Sequence, residues 1–329
     1  MRKYFISAII LLLFPALLSG QNNQKNKYDY IESGYYQLIY EAEIAHLEGN
    51  DSLAFAKLQQ AESVCPLINQ FPYREIELYC RLLMKNGQFN KAIAYMDTLA
   101  NKYGKFPTDV LIDIGKDENL SKNLLKEVPD FYLTKMPKLL EDSEWYYASL
   151  THDSIINILT DISAADQNVR MSEEKPPFSP EFIEKMRETD ISNYNRLFQF
   201  IDKFGFPNTR LFGSANTKME GRLYELFMHI TDHINIQDTI LQLVRAGQCP
   251  PDLYGIVVNR RMLPNYLREY GKRMFLYDVL SNPKDDDIID IEHLDERHIA
   301  AGLPTRAMNQ KRIELLMRKY EDYVLPPLP

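Results

Sequence analysis

The strongest constraint on this chain is a pattern of small and apolar residues that recurs 38 residues later near its N-terminal end. In each copy, these residues come three or four positions apart in two runs, and a glycine separates the runs. Such spacing places side chains on one face of a helix, and glycine permits a tight turn. The pattern therefore predicts two helical hairpins, with turns at 50–52 and 86–88. The first copy is Ala42, Ala45, Gly49, Ala54, Leu58, Ala61 and Pro66, and the second is Cys80, Leu83, Gly87, Ala92, Met96, Leu99 and Gly104.

These offsets resemble those of tetratricopeptide units, which have small residues where paired helices touch and a turn-forming residue after the second helix. Residues 28–104 thus resemble two tetratricopeptide-like helical hairpins, although similar spacing also occurs in unrelated helical bundles. Each unit exposes a face that the next one must cover. We therefore expect residues 105–150 to form a helical connector that caps the pair.

The first 20 residues have the pattern of a secretory signal peptide. Arg2 and Lys3 precede an apolar run over 4–18, and small residues follow it. The alternative is an uncleaved membrane anchor, but Pro15 interrupts the run, which is shorter than the ~20 residues of a membrane span. We expect cleavage near Gly20 and a polar linker over 21–27.

This leader predicts a periplasmic or secreted protein. Gln21 stands where a bacterial lipoprotein would need its lipid-accepting cysteine, so lipid attachment is not expected. No later segment is long and apolar enough to span a bilayer, and we expect no stable membrane insertion after cleavage.

The chain is acidic, with a formal charge of −8 that becomes −10 without the leader's two cations. Such a surface repels phosphate backbones, so nucleic-acid binding is not expected. Three cysteines are too few for a disulfide framework. A bridge between Cys65 and Cys80 is one option, and three buried free thiols, including Cys249, is the other.

Residues 151–325 are predicted to form a second, mainly α-helical domain. Helical spacing continues from Ile155 to Val169, and Asp190 is predicted to cap a helix that ends at Gly205. Further helices are predicted over residues 216–246, 252–263 and 305–323.

Residues 270–280 and 288–291 have the composition of strands, and a turn-forming sequence over 281–284 separates them. They predict a small β-hairpin. The expected fold class is therefore mainly α: tetratricopeptide-like hairpins followed by a helical domain with one β-hairpin.

Two histidines lie four residues apart, at His229 and His233, and would share one helix face. Two ligands do not make a metal site, and packing beside the apolar stripe is the alternative interpretation. We expect no metal and no cofactor. Asp166 and Arg170 are also four apart and are predicted to form a surface pair.

The second half resembles a bacterial domain of unknown function that is frequent in exported proteins. Its pattern runs D-Q-x-x-R, G-[WF]-P, Q-H-x-D, D-R, Q-x-Y-G-T-Q and R-x-x-x-G-L, in an order that this chain keeps over about 140 residues. The corresponding segments are Asp166 to Arg170, Gly205 to Pro207, Met228 to Asp232, Asn259 with Arg260, Arg268 to Arg273, and Arg297 to Leu303.

The chain departs from this pattern where Met228 and Asn259 replace a glutamine and an aspartate, and where two further glutamines are missing. These losses favour binding over turnover. The resemblance names no substrate, but it implies a candidate pocket made of His229, Asp232, Arg260, Tyr270 and Arg297.

The leading hypothesis is an exported helical-repeat protein that binds a protein or peptide partner. The alternative is a periplasmic hydrolase in which Asp232 orients His229 as general base and Arg260 or Arg297 stabilises an anion. A third possibility is a structural subunit of an envelope assembly. The sequence favours a protein that is not an enzyme, without deciding the question.

Overall fold

The computed structural model describes residues 27–70, 74–103, 108–139, 154–171, 178–207, 217–279 and 283–321. The predicted signal peptide, most of the predicted linker and the last eight residues lie outside these ranges, as does part of the predicted connector. Within them the chain is mainly α, as predicted. The helices are α1 (Tyr35–Leu47), α2 (Asp51–Val64), α3 (Glu75–Lys85), α4 (Phe89–Tyr103), α5 (Thr108–Lys116), α6 (Glu118–Glu127), α7 (Ser154–Arg170), α8 (Pro180–Phe204), α9 (Thr217–His233), α10 (Gln237–Arg245), α11 (Pro251–Tyr270), α12 (Leu294–Ala300) and α13 (Arg306–Glu321). A π-helical turn spans Phe131–Lys135, and 3-10 turns span Asp285–Asp287 and Ile291–His293.

Helices α1 and α2 form one helical pair, and α3 and α4 form the next. The two turns have the same backbone hydrogen bonds, 38 residues apart. Asn50 N–H donates to the Ala45 carbonyl (2.8 Å), and Gln88 N–H donates to the Leu83 carbonyl (2.9 Å). The preceding glycines, Gly49 and Gly87, have positive φ, as the left-handed helix end requires. The repeated pattern therefore produces a repeated turn.

The hairpins are not a separate unit, because α1 packs against α13 and donates a hydrogen bond to the last turn of α10. Tyr36 Oη donates to the Val244 carbonyl (2.8 Å), and Tyr40 Oη donates to the Gly302 carbonyl (2.7 Å). Both tyrosines are buried, and one hydrophobic core continues from the N-terminal hairpins to α11.

Helices α5 and α6 follow the second hairpin, and α5 packs on α3. Val110, Leu111 and Ile114 are buried in the same core, and Arg81 of α3 pairs with Asp113 (3.3 Å). These helices cover apolar surface at the end of the hairpins.

The predicted β-hairpin is wrong for the described residues. Only an isolated parallel bridge joins Phe275 to Ile288. The extended backbone after α11 is held by the Asn259 side chain, whose Oδ1 accepts from Leu276 N–H (2.8 Å) and whose Nδ2 donates to the Tyr277 carbonyl (2.6 Å). The Asn259 side chain thus forms hydrogen bonds with backbone groups that would otherwise be available to a second strand.

Several predicted helix boundaries are also wrong. The helix predicted over 216–246 is interrupted at 234–236, where Ile236 is buried. The helix predicted to stop before Pro264 continues through it to Tyr270. Pro264 lies on an exposed face, where solvent can reach the carbonyl that it leaves without an N–H donor.

Asp190 does not cap a helix; it lies buried within α8, and Ser179 provides the cap by accepting from Phe182 N–H (3.1 Å). All three cysteines are buried free thiols. The Sγ of Cys65 contacts Ser33 and that of Cys80 faces the Ala92 carbonyl, so the suggested Cys65–Cys80 bridge is not formed. No helix in the described ranges is long and apolar enough to cross a membrane.

Candidate functional site

A network of buried ionisable side chains lies where α7, α8 and α9 pack together. At its centre is Arg170, near the end of α7. Its Nη1 donates to Asp166 Oδ1 (2.6 Å), and its Nη2 donates to both carboxylate oxygens of Asp190 (2.7 and 2.8 Å). One guanidinium therefore joins a carboxylate of its own helix to one of α8.

Each of these carboxylates also contacts one of the two histidines of α9. His229 Nδ1 lies 2.9 Å from Asp166 Oδ2, and His233 Nε2 lies 3.2 Å from Asp190 Oδ2. The spacing of four residues brings both imidazoles to the same face of α9, as the sequence predicted. Two Asp–His pairs thus lie side by side with Arg170 between their carboxylates.

The two aspartates form the floor of the network and the basic groups form its rim. Asp166 and Asp190 side chains are 2% and 0% exposed, whereas those of Arg170, His229 and His233 are 19–24% exposed. Burial raises the pKa of Asp190, and the hydrogen bonds and positive charge of Arg170 oppose that rise. The predicted pairing of Asp166 with Arg170 is confirmed, but its predicted location at the surface is wrong, because the pair is largely buried.

The network contains two carboxylates and two imidazoles, which are side chains of the kinds that bind metal ions. The positive group between the carboxylates, however, is the Arg170 guanidinium of the chain itself. In the described parts of the chain, no group of three or more His, Cys, Asp or Glu side chains is placed to hold a metal ion.

Of the five residues of the predicted pocket, the structure pairs Asp232 with Arg260 and gives the other three different partners. Arg260 binds Asp232 through two parallel hydrogen bonds (Nε–Oδ1 2.7 Å, Nη2–Oδ2 2.5 Å), which raise the pKa of Arg260. The pair lines a groove of about 340 Å³ between α9 and α11. His229 is oriented by Asp166, so the predicted pairing of Asp232 with His229 is wrong.

The other two residues lie beyond this groove. Tyr270 is exposed at the end of α11, where it contacts Tyr266. Arg297 of α12 donates to the Ile289 carbonyl (2.6 Å) and to Asp290. Both contacts fix the loop before α12.

Sequence reasoning placed His233 on the right helix face but missed the roles of Asp166, Arg170 and Asp190. One signal was present: Asp166 follows Ile162 by four residues, and Asp190 precedes Leu197 by seven, so both lie on apolar stripes. An aspartate on such a stripe needs a buried partner.

Comparison with known proteins adds no assignment, since no family model matches the chain and neither a curated protein nor a solved structure does.

Proposed function

We propose that this chain is an exported binding protein whose tetratricopeptide-like hairpins, together with α13, hold a short segment of a partner protein or peptide. The observation that carries this proposal is a groove of about 550 Å³ between α1, α2 and α13. Its lining comprises Glu41, Ile44, Ala45, Glu48, Leu53, Lys57, Ala307, Met308 and Lys311.

The lining combines an apolar floor with a charged rim. Ile44 and Ala45 of α1 are largely buried, whereas Leu53 of α2 is 43% exposed at the edge. A volume of this order suits one or two anchoring side chains. Because α13 covers part of α1, this groove, rather than an open repeat surface, is the proposed binding site.

The rim contains two ion pairs, Lys57 with Glu41 (2.5 Å) and Lys311 with Glu48. Both pairs are substantially exposed, and such pairs contribute at most about 1 kcal/mol. A partner carrying charges of both signs can therefore replace them at little cost. This favours a peptide with an apolar anchor and charged flanks.

A displayed library of random peptides, selected on the wild-type protein, tests this proposal. Selected peptides should bind the Leu53→Asp variant at least tenfold more weakly by fluorescence anisotropy, because a carboxylate would replace an apolar side chain at the edge of the groove. An aspartate at the third position of α2 is compatible with the helix dipole.

The matched control is Leu125→Asp on α6, where the leucine is similarly exposed (44%) outside the groove. It should leave affinity unchanged. Equal binding to both variants, or no selected peptide at all, would contradict the proposal.

The His229–Asp166 pair favours a second candidate, a hydrolase. If Nδ1–H of His229 donates to Asp166, the unprotonated Nε2 is free to act as a general base. Asp166 is held by Arg170 and by Gln167 Nε2 (3.0 Å), so the imidazole has a fixed orientation.

A panel of chromogenic esters, amides, phosphoesters and glycosides tests this candidate. Any turnover should fall about 100-fold or more in His229→Gln. His46→Gln is the control, because His46 also pairs with an aspartate, Asp51 (2.8 Å), at a distant position. Turnover that survives His229→Gln, or none on any substrate, counts against the hydrolase.

A further inference from the structure

Glu75, at the start of α3, is a buried carboxyl group without a cationic partner in its described contacts. It is 1% exposed. Its Oε2 accepts from Gln70 N–H (2.9 Å), while its Oε1 has no hydrogen-bond partner. Two neighbouring amide oxygens, Asn69 Oδ1 and Gln70 Oε1, are also buried without a donor. Among the described residues, the site is therefore rich in oxygen acceptors and poor in donors.

The charged groups that act on Glu75 add to this imbalance. From α1 it faces Glu43, and from its own helix Glu77, so two carboxylates surround a third. Glu43 is paired with Arg312 of α13 (2.6 Å), and Asn69 Nδ2 donates to Glu77 (3.1 Å). Arg74 directly precedes Glu75, with φ of 51°. The phenols of Tyr30, Tyr35 and Tyr36 complete the surroundings.

Gln70 connects this site to the C-terminal half of the molecule. Its backbone N–H binds Glu75, and its side-chain Nε2 donates to the carbonyl of Gly247 (3.0 Å) in the turn between α10 and α11. The residue that binds Glu75 thus also contacts the C-terminal half.

We propose that Glu75 is a proton-dependent latch: in its neutral form it keeps Gln70 against Gly247, and its ionisation loosens this contact. Burial and the adjacent carboxylates raise the pKa of Glu75 to about 8, so the folded protein holds this proton at neutral pH. The N–H of Gln70 favours the ionised carboxylate, but burial at 1% exposure outweighs it. An ionised Glu75 would therefore draw in water, and the surrounding segment would open.

The sign of the pH effect follows from linkage. The pKa of Glu75 is higher in the folded state than its ordinary value of 4.5, so folding takes up a proton between these limits. Stability is therefore lost as pH rises from about 5 to about 8. The folding equilibrium constant falls by at most about tenfold per pH unit over this range.

The test compares wild type with Glu75→Gln in urea unfolding and in amide hydrogen exchange of residues 66–70 and 243–249, from pH 6 to pH 9. After correction for intrinsic exchange, protection in the wild type should fall with rising pH, and Glu75→Gln should flatten this dependence. Glu127→Gln, at an exposed site on α6, should behave as wild type. An identical pH dependence in wild type and Glu75→Gln would overturn the proposal.

A second measurement covers the case in which Glu75→Gln does not fold. Calorimetric unfolding of the wild type at pH 7, in buffers of different ionisation enthalpy, should show release of about one proton. No net release would refute the latch. The latch would also be refuted if Ca²⁺ or Na⁺ stabilised the wild type and abolished the pH dependence of its stability. The site would then bind a cation instead of a proton.

Discussion

At the scale of single residues, the molecule depends on how a few buried charges are paired. Asp190 is fully buried within α8 and binds Arg170 through both carboxylate oxygens. Removing one member of a buried ion pair leaves the other charge buried without a partner. The resulting loss of unfolding free energy is larger than the net contribution of the pair. His233 and Asp166 depend on the same arrangement, so the loss would extend to both Asp–His pairs.

Asp190→Ala should lower the free energy of unfolding by about 3 kcal/mol in urea titrations. Glu184→Ala, on the same helix, removes an exposed pair with Arg187 (3.0 Å) and should cost less than about 1 kcal/mol. Equal effects from the two substitutions would show that the buried network adds nothing to stability.

The proton-dependent latch at Glu75 also depends on a single buried acid, but here burial yields a neutral carboxyl group instead of an ion pair. Asp190 has a cationic partner within hydrogen-bonding distance, whereas the charged neighbours that act on Glu75 are carboxylates. The two acids are buried to a similar degree, so their partners decide whether burial yields an ion pair or a neutral acid.

At the scale of helices and turns, the glycine that ends a helix recurs in the C-terminal half. Gly247 N–H donates to the Val244 carbonyl and Gln248 N–H to the Leu243 carbonyl (both 2.9 Å), as in the turns of the two hairpins. Gly87 and Gly247 have nearly the same φ, 69° and 66°. Their surroundings differ: a Cβ at position 87 would meet nothing within 4 Å, whereas one at position 247 would lie 2.7 Å from the ring of Tyr30.

Gly87→Ala should therefore cost about 1 kcal/mol, the usual penalty of a left-handed backbone. Gly247→Ala should cost at least about 1 kcal/mol more, because Tyr30 must also move. Thermal or urea unfolding of the two variants measures the difference. Equal costs would mean that Tyr30 does not pack against this turn in solution.

At the scale of the whole molecule, the N-terminal hairpins and the C-terminal helices share one core. Tyr36 and Tyr40 of α1 make their hydrogen bonds to backbone carbonyls more than 200 positions away along the chain. Gln37 does the same with the Leu303 carbonyl (2.7 Å). The C-terminal half therefore covers part of the face of α1 that carries these residues.

A fragment of residues 27–103 should therefore fail to fold cooperatively, with circular dichroism showing less than half the helix that these residues have in the full chain. Tyr40→Phe in the full chain should cost about 1 to 2 kcal/mol, because the Gly302 carbonyl loses a buried donor. A fragment that unfolds in a single sharp transition would contradict this account.

Local patterns in the sequence were enough to predict the helical class, the repeated turn at Gly49 and Gly87, and the shared face of His229 and His233. Each depends on local spacing, which the helix geometry converts directly into positions. The strand prediction after Phe275 failed because the Asn259 side chain of α11 pairs with the backbone of Leu276 and Tyr277. Only the tertiary structure placed Arg170 between Asp166 and Asp190, and α13 against α1. The contact of Arg170 with Asp190 and that of α1 with α13 join residues from different helices, and pairing energy depends on distances that spacing along the chain does not set.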